Sequence, residues 1–304
     1  MIKTTIIFNP VRLDFLPRAL ETLYKFTDMK DWRVIVVDQT RSGCKVKNKV
    51  HLWLKPHRNL GFAKSMNEGI IHGLHWKSKY IICANDDIEF INSKWWQGVL
   101  DTFAMGDNIY AVNPESPRIP LWGYGRPHGE YIDILKYKRE FSEEDYQYLL
   151  DGHFEDWEKK GELVSAQSHL PDTFPLHKTG VTDAVAMWCI VFKRECFEKF
   201  GLFDERFYPG GAEDYDYDAR VYREGGRLLG TTKSWAWHWW GFSKDKQSEI
   251  DADIDKNLCW ADNNYLWPAE WNNGKKMDPW GKFIDKDGKR KPMRRRKEIA
   301  VVDI

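Results

Sequence analysis

The chain has no Cys-x-x-Cys pair, no internal repeat, no surplus of either charge and no apolar run long enough to span a bilayer. Each absence excludes something. Its five cysteines, Cys44, Cys83, Cys189, Cys196 and Cys259, are odd in number and scattered, which argues against a zinc knuckle and a disulfide framework. The start runs straight into a strand-like segment without a signal-peptide pattern, so a reducing, cytoplasmic setting is expected. The 46 basic and 46 acidic residues balance, so no global field draws the protein to nucleic acid or to a membrane surface. What is abundant is tryptophan, 16 residues in 304. Such rings pack cores, and when exposed they also stack on sugar faces. The length suits one large α/β domain or two small ones.

Apolar runs alternate with helical periodicity over roughly the first 110 residues, which predicts an α/β, doubly wound, mostly parallel sheet. Strands are expected at Lys3 to Phe8, Trp32 to Val37, Val50 to Leu54 and from Tyr80 up to Asn85. Helices are expected through Leu13 to Leu23 with Pro17 in the first turn, from Asn59 through Leu74, and through Trp95 to Phe103 behind an Asn92-Ser93 cap. From Glu115 to Lys178 the character changes to prolines, glycines and aromatics, then an acidic helix opened by Ser142 and Asp145. This reads as an insertion or lid. A strand over Ala184 to Phe192, a helix from Arg194 to Phe200, a helix beginning at Glu213-Asp214 and a strand from Arg227 to Thr232 follow. Ser234 to Gly241 then packs four tryptophans around His238. The expected organisation is a domain over 1–243, made of a nucleotide-binding half (1–114), the inserted segment (115–180) and an acceptor and catalytic half (181–243). A C-terminal extension (244–304) would carry a helix from Ile250 to Trp260 and a basic tail from Lys289 to Lys297.

The chemistry gathers at strand ends. The run Tyr80-Ile81-Ile82-Cys83-Ala84 stops at Asn85-Asp86-Asp87, and in open α/β sheets ligands bind beyond the carboxyl ends of strands. Adjacent carboxylates repel unless a cation or a donor network offsets them. An ion of the Mg²⁺ kind, held by one or two carboxylates and a diphosphate, does so. Asp38 also stands at a strand end and can accept a hydrogen bond from a nucleotide base. Asp86 can accept from a ribose hydroxyl. Asp87 with His238 can hold a cation on a diphosphate, and Asp214 can serve as base to a hydroxyl. Each residue has a bland alternative: a solvated turn for Asp86-Asp87, a turn aspartate for Asp38, a helix-start pair for Glu213-Asp214 and a core histidine for His238.

The order of these residues resembles a family. Val36-Val37-Asp38, Asn59-x-Gly61-x-Ala63-x-x-x-Asn67-x-Gly69, Asn85-Asp86-Asp87, Phe203-Asp204-Glu205-x-Phe207, Glu213-Asp214-x-Asp216 with Arg220 and Gly225, and the late His238 are together similar to family 2 glycosyltransferases of the GT-A fold. The likeness covers Ile2 to Phe242 apart from the insertion. The Gly210-Gly211-Ala212-Glu213-Asp214 turn is also similar to the acidic acceptor loop of β-1,4-galactosyltransferases. The resemblance implies inverting transfer from a nucleotide-sugar, UDP-linked by expectation, to a hydroxyl acceptor such as a glycan, with Mn²⁺ or Mg²⁺ as cofactor. It implies that Asn9, Pro10, Asp38, Asn59, Gly61 and Asp86 contact the nucleotide-sugar. Asp87, of the D-x-D motif, and His238 would bind the metal. Asp214 would be the general base, with Glu213 and Asp216 at the acceptor. The motif opens here with Asn85 rather than aspartate, which leaves Asp87 in place.

Two other classes compete. A sugar nucleotidylyltransferase resembles a chain with a glycine-rich phosphate loop after the first strand, where this one reads Asn9-Pro10-Val11-Arg12-Leu13. A non-catalytic carbohydrate-binding module would use the tryptophans but has no need of ordered carboxylates. The basic tail also suits a DNA-modifying glucosyltransferase, against which the neutral overall charge weighs.

Overall fold

A computed structural model describes residues 3–10, 14–40, 46–116, 181–182, 187–205, 207, 210 and 213–239. The insertion, apart from Glu115 and Ser116, and the C-terminal extension lie outside them, as do the helices expected near Ser142 and over Ile250 to Trp260.

The alternation of apolar runs and amphipathic helices produces a mixed α/β sheet, mostly parallel and curled. Its strands are β1 (Thr4–Phe8), β2 (Trp32–Val37), β3 (Leu52–Leu54), β4 (Tyr80–Ala84), β5 (Ile88–Phe90), β6 (Ile109–Glu115), β7 (Val181–Thr182), β8 (Cys189–Lys193) and β9 (Arg227–His238). The helices are α1 (Leu16–Phe26), α2 (Gly61–His75), α3 (Trp95–Phe103), α4 (Arg194–Phe200) and α5 (Glu213–Arg223). The sheet order is β3-β2-β1-β4-β8-β6-β9-β5, with β7 also on β9. β1, β2, β3 and β4 are mutually parallel. β8 is inserted antiparallel between β4 and β6, and β9 then runs parallel to β6. Hence β1, β2, β4, β6 and β9 all point the same way.

Both faces of the sheet are covered, as expected for strands that are apolar throughout. Ile6, Phe8, Val34, Val36, Ile82, Val112 and Val191 face Leu20, Leu23, Trp95 and Val99 of α1 and α3. Ile7, Ile35, Ile81, Ala111, Ile190 and Phe192 face Met66, Ile70, Phe197, Tyr217 and Val221 of α2, α4 and α5. Each such side chain contributes about 1.5–3 kcal/mol relative to exposure. The tryptophans serve this core. Trp32, Trp95, Trp188, Trp235, Trp237 and Trp239 are buried, while the exposed large hydrophobics among the described residues are Ile71, Met105 and Tyr222. The abundance of indoles is therefore packing in these residues rather than a sugar-stacking surface. The described thiols pack likewise: burial pushes Cys83 and Cys189 up and Cys196 to about 12.

Three elements depart from the sequence expectation. Ile88–Phe90 is a separate strand, Ile109–Glu115 is a strand that periodicity did not mark, and Arg227–His238 is one strand of 12 residues. Asn92 does not cap α3 directly: its Oδ1 accepts from the Lys94 N–H, one residue ahead of the helix. β9 survives its polar stretch because it bulges. Pro114 pairs with Thr231, but Glu115 pairs with Trp235, so Thr232, Lys233 and Ser234 bend the strand. Against this bulge lies Gly98 of α3, where an added Cβ would collide with the carbonyl oxygen of Lys233.

Backbone cannot step aside as a flexible side chain can. Gly98→Ala is therefore expected to lower unfolding free energy by about 2–3 kcal/mol, read from the midpoint of a urea transition at unchanged slope. A midpoint equal to the wild type would show that α3 does not rest on the bulge.

Candidate active site

Five strands end on one edge, and each delivers polar groups there. After β1 come Asn9 and Pro10, after β2 Asp38, after β4 Asn85 to Asp87, at the end of β6 Glu115 and Ser116, and at the end of β9 His238. β8, running the other way, brings its amino end to the same edge, preceded by Trp188.

On the β1–β2 side the groups hold one another. The Asn9 side-chain amide donates to Ser65 Oγ at 3.1 Å. The Gln39 N–H donates to the Pro10 carbonyl at 3.1 Å. Gln39 Oε1 accepts from the Leu60 N–H at 2.8 Å, and its Nε2 donates to Ser65 Oγ at 3.3 Å. Asn59 Oδ1 accepts from the Gly61 N–H at 2.8 Å, and Gly61 sits at φ +73°, a conformation open to glycine but strained for other residues. These contacts aim the amino end of α2 at the strand edge. Asp38, 1% exposed, accepts from the Thr40 N–H and hydroxyl at 2.9 and 2.6 Å and from the Trp53 indole at 3.3 Å, with Lys55 Nζ 4.0 Å away. The turn role and a site role are both compatible with that placement.

Residues between α4 and α5 contact α2. Asn67 of α2 grips Phe203 with both amide atoms, at 3.0 Å each, and donates to Glu205 at 3.1 Å. A Cβ at Gly210 would lie 3.4 Å from Phe62 of α2. Phe203, Glu205 and Gly210 thus lie along α2. Glu213 and Asp214 open α5, Glu213 buried and Asp214 half-buried. Asp216 is held by Arg220, whose Nε and Nη2 both lie 2.9 Å from its Oδ2. The same guanidinium donates to the carbonyls of Phe200 and Leu202. Asp216 is thereby a brace between α5 and the end of α4.

At the centre, two residues 151 positions apart meet. His238 Nε2 and Asp87 Oδ1 are 3.1 Å apart, and both residues are buried. Strand pairing makes the contact: β5 lies antiparallel to the end of β9 with Ile88 opposite His238, and the Trp239 N–H donates to the Asp87 carbonyl at 2.9 Å. Asp86 is buried in the same turn, and the His238 N–H donates to Ser116 Oγ at 3.2 Å. Behind the pair, Glu89 Oε1 accepts from the Trp239 indole at 2.7 Å and from Arg18 Nε at 3.0 Å, and the Arg18 guanidinium lies over the Trp239 ring. Gln39, Glu89 and Trp188 were not among the residues expected from sequence. Gln39 follows a strand-end aspartate, and Glu89 breaks an apolar run, which are the only signals they carry.

One carboxylate oxygen and one imidazole nitrogen at this separation suit a divalent ion that takes both oxygen and nitrogen donors. Among the described residues no group of three or more His, Cys, Asp or Glu side chains is placed to hold a metal. An ion held by Asp87 and His238 would need further donors, such as phosphate and water.

No protein-family model matches the chain, and no curated protein sequence matches it. Solved structures do. The mannosyltransferase PcManGT from Pyrobaculum calidifontis, in complex with GDP-Man and Mn²⁺, aligns with a TM-score of 0.52 at 13% identity, over 92% of this chain and 67% of that one. GalNAc-T7 with UDP, GalNAc and Mn²⁺ aligns with a TM-score of 0.51 at 15% identity, over 91% of this chain and 52% of that one. The chain thus spans about half the length of the GalNAc-T7 structure. At these identities the likeness establishes the GT-A fold.

Glu89→Leu would leave the buried Trp239 N–H without this acceptor and Arg18 without this carboxylate. A loss of about 2 kcal/mol in unfolding free energy is expected, measured by urea denaturation. Full stability in the variant would remove Glu89 as the anchor of the β9 end.

Proposed function

We propose that the chain is an inverting, metal-dependent glycosyltransferase of the family 2 kind, taking a sugar from a nucleoside-diphosphate donor, UDP-linked, to a hydroxyl of a glycan acceptor. The observation that carries this reading is the buried Asp87–His238 pair at the carboxyl edge of a GT-A sheet. Two solved structures of that fold were obtained with nucleotides and Mn²⁺, which supports the same ligand class here.

In this reading Asp38 accepts from the base, Asp86 from the ribose, and Asn9, Pro10, Asn59 and Gly61 shape the nucleotide cleft. Asp87 and His238 hold Mn²⁺ or Mg²⁺, whose chemistry is to offset the charge that builds on the departing diphosphate. Asp214 accepts the proton of the acceptor hydroxyl as that oxygen bonds to the anomeric carbon. The bond from that carbon to the diphosphate breaks on the opposite face, and the nucleoside diphosphate leaves with the electron pair. Glu213 orients the acceptor. Asp216, braced by Arg220, fixes the helix that carries both. Among the described residues no helix is long and apolar enough to cross a membrane. A cytoplasmic setting remains part of the proposal.

A panel of nucleotide-sugars incubated with the protein, Mn²⁺ and candidate acceptors should release free nucleoside diphosphate. Pyrophosphate release instead would indicate nucleotidyl transfer. Asp214→Asn should lower turnover about 10²–10⁴-fold with donor affinity kept, and near-normal turnover would remove Asp214 as base. Asp87→Ala should abolish the metal-dependent component of UDP binding in calorimetry.

A further inference from the structure

Trp188 touches His238 and the turn that leads into Asp87, in two different ways. Its carbonyl accepts from the Asn85 N–H at 2.8 Å, which ties the amino end of β8 to the Asn85-Asp86-Asp87 turn. Its ring lies flat on the imidazole of His238, with centroids 4.9 Å apart and planes 12° apart. The indole is 4% exposed and belongs to the same core cluster as Ala84, Cys189 and Ala236 of β4, β8 and β9.

A histidine ring turns broadly about its second side-chain torsion. A hydrogen bond at Nε2 fixes one point of the ring but leaves its plane free to swing. A flat stack removes that freedom. In metal sites the hydrogen-bonding partners behind a ligand decide its orientation, at about 10–100-fold in affinity, and a ring stack that fixes the same plane acts in the same sense. We propose that Trp188 is a positioning residue that sets the ring plane of His238 and the approach of the Asp87 turn together, so that both donors face one divalent cation. The proposal rests on the metal-binding role given above to Asp87 and His238. It adds a residue that touches neither metal nor substrate.

The test compares wild type, Trp188→Leu and Trp188→Phe. Titration of Mn²⁺ by electron paramagnetic resonance, with UDP present, should show about tenfold weaker binding for leucine. Phenylalanine keeps a ring face and should stay near the wild type. A second reading uses metal-free wild-type protein: NMR of His238 should show ring protons shifted upfield by the indole above them, and a single tautomer. Leucine should lose the shift. If the leucine variant does not fold, the wild-type spectrum still decides. His238 protons at unshifted positions in the wild type, or a leucine variant that binds Mn²⁺ as tightly as wild type, would overturn the positioning role. Wild-type protein that binds no Mn²⁺ even with UDP overturns the glycosyl-transfer reading itself, a result distinct from metal binding that is indifferent to Trp188.

Discussion

The contact between Asp87 and His238 depends on a three-residue strand. β5 adds itself antiparallel to the far end of β9 and places Ile88 opposite His238. Shift that pairing by one residue and the side-chain alternation would turn His238 to the other face of the ribbon. Register is pinned from several directions. The Trp239 N–H bonds to the Asp87 carbonyl, the Trp239 indole bonds to Glu89, and the His238 N–H bonds to Ser116 at the end of β6. The Thr232–Ser234 bulge re-aims β9 so that one strand parallels β6 at its start and pairs with β5 at its end. The fold spends an irregular strand to bring a late imidazole to an early carboxylate.

Much of this was legible in the residues. β2 and α4 fall on the expected bounds, and the strand-end positions of Asp38, Asp86 and Asp87 follow from where apolar runs stop. β5, β6 and the antiparallel sense of β8 were not. Three residues carry too little periodicity to announce a strand. Ile109–Glu115 contains an asparagine, a proline and a glutamate that become tolerable only once β8 and β9 flank it. Strand direction is a tertiary property, because an apolar run reads the same in either sense. Glu89 illustrates the limit most clearly. An acid inside a buried strand argues against burial until Arg18 and Trp239 are seen to satisfy it.

The motif residues divide by what they touch. Asn67 secures Phe203 and Glu205, and Arg220 binds Asp216 and two carbonyls that precede α5. These are joints of the scaffold, spaced by the needs of packing α2, α4 and α5 on one face. Asp38, Asp86, Asp87 and His238 instead stand at strand ends on the shared edge, and Glu213 and Asp214 open α5. A pattern read along the chain mixes the two kinds, since both recur at fixed spacing for different physical reasons.

The charge at that edge argues for a cation more strongly than any single residue does. Among the described residues the buried charged side chains are acids: Asp38, Asp86, Asp87, Glu89, Glu115 and Glu213, with no lysine or arginine buried. The chain as a whole is neutral, so this is a matter of placement. Glu89 has Arg18 at 3.0 Å, whereas the lysine nearest Asp38 stands at 4.0 Å. Taking carboxylates out of water costs several kcal/mol each unless opposite charge or hydrogen bonds offset it. Hydrogen bonds offset part of that cost for Asp38 and Asp87, and added positive charge would offset more. A divalent ion would do so, and it would bring a diphosphate to the rim where these strands end. In the proposed reading the ion, held together with its nucleotide, would supply that positive charge, so donor and metal should bind in support of each other.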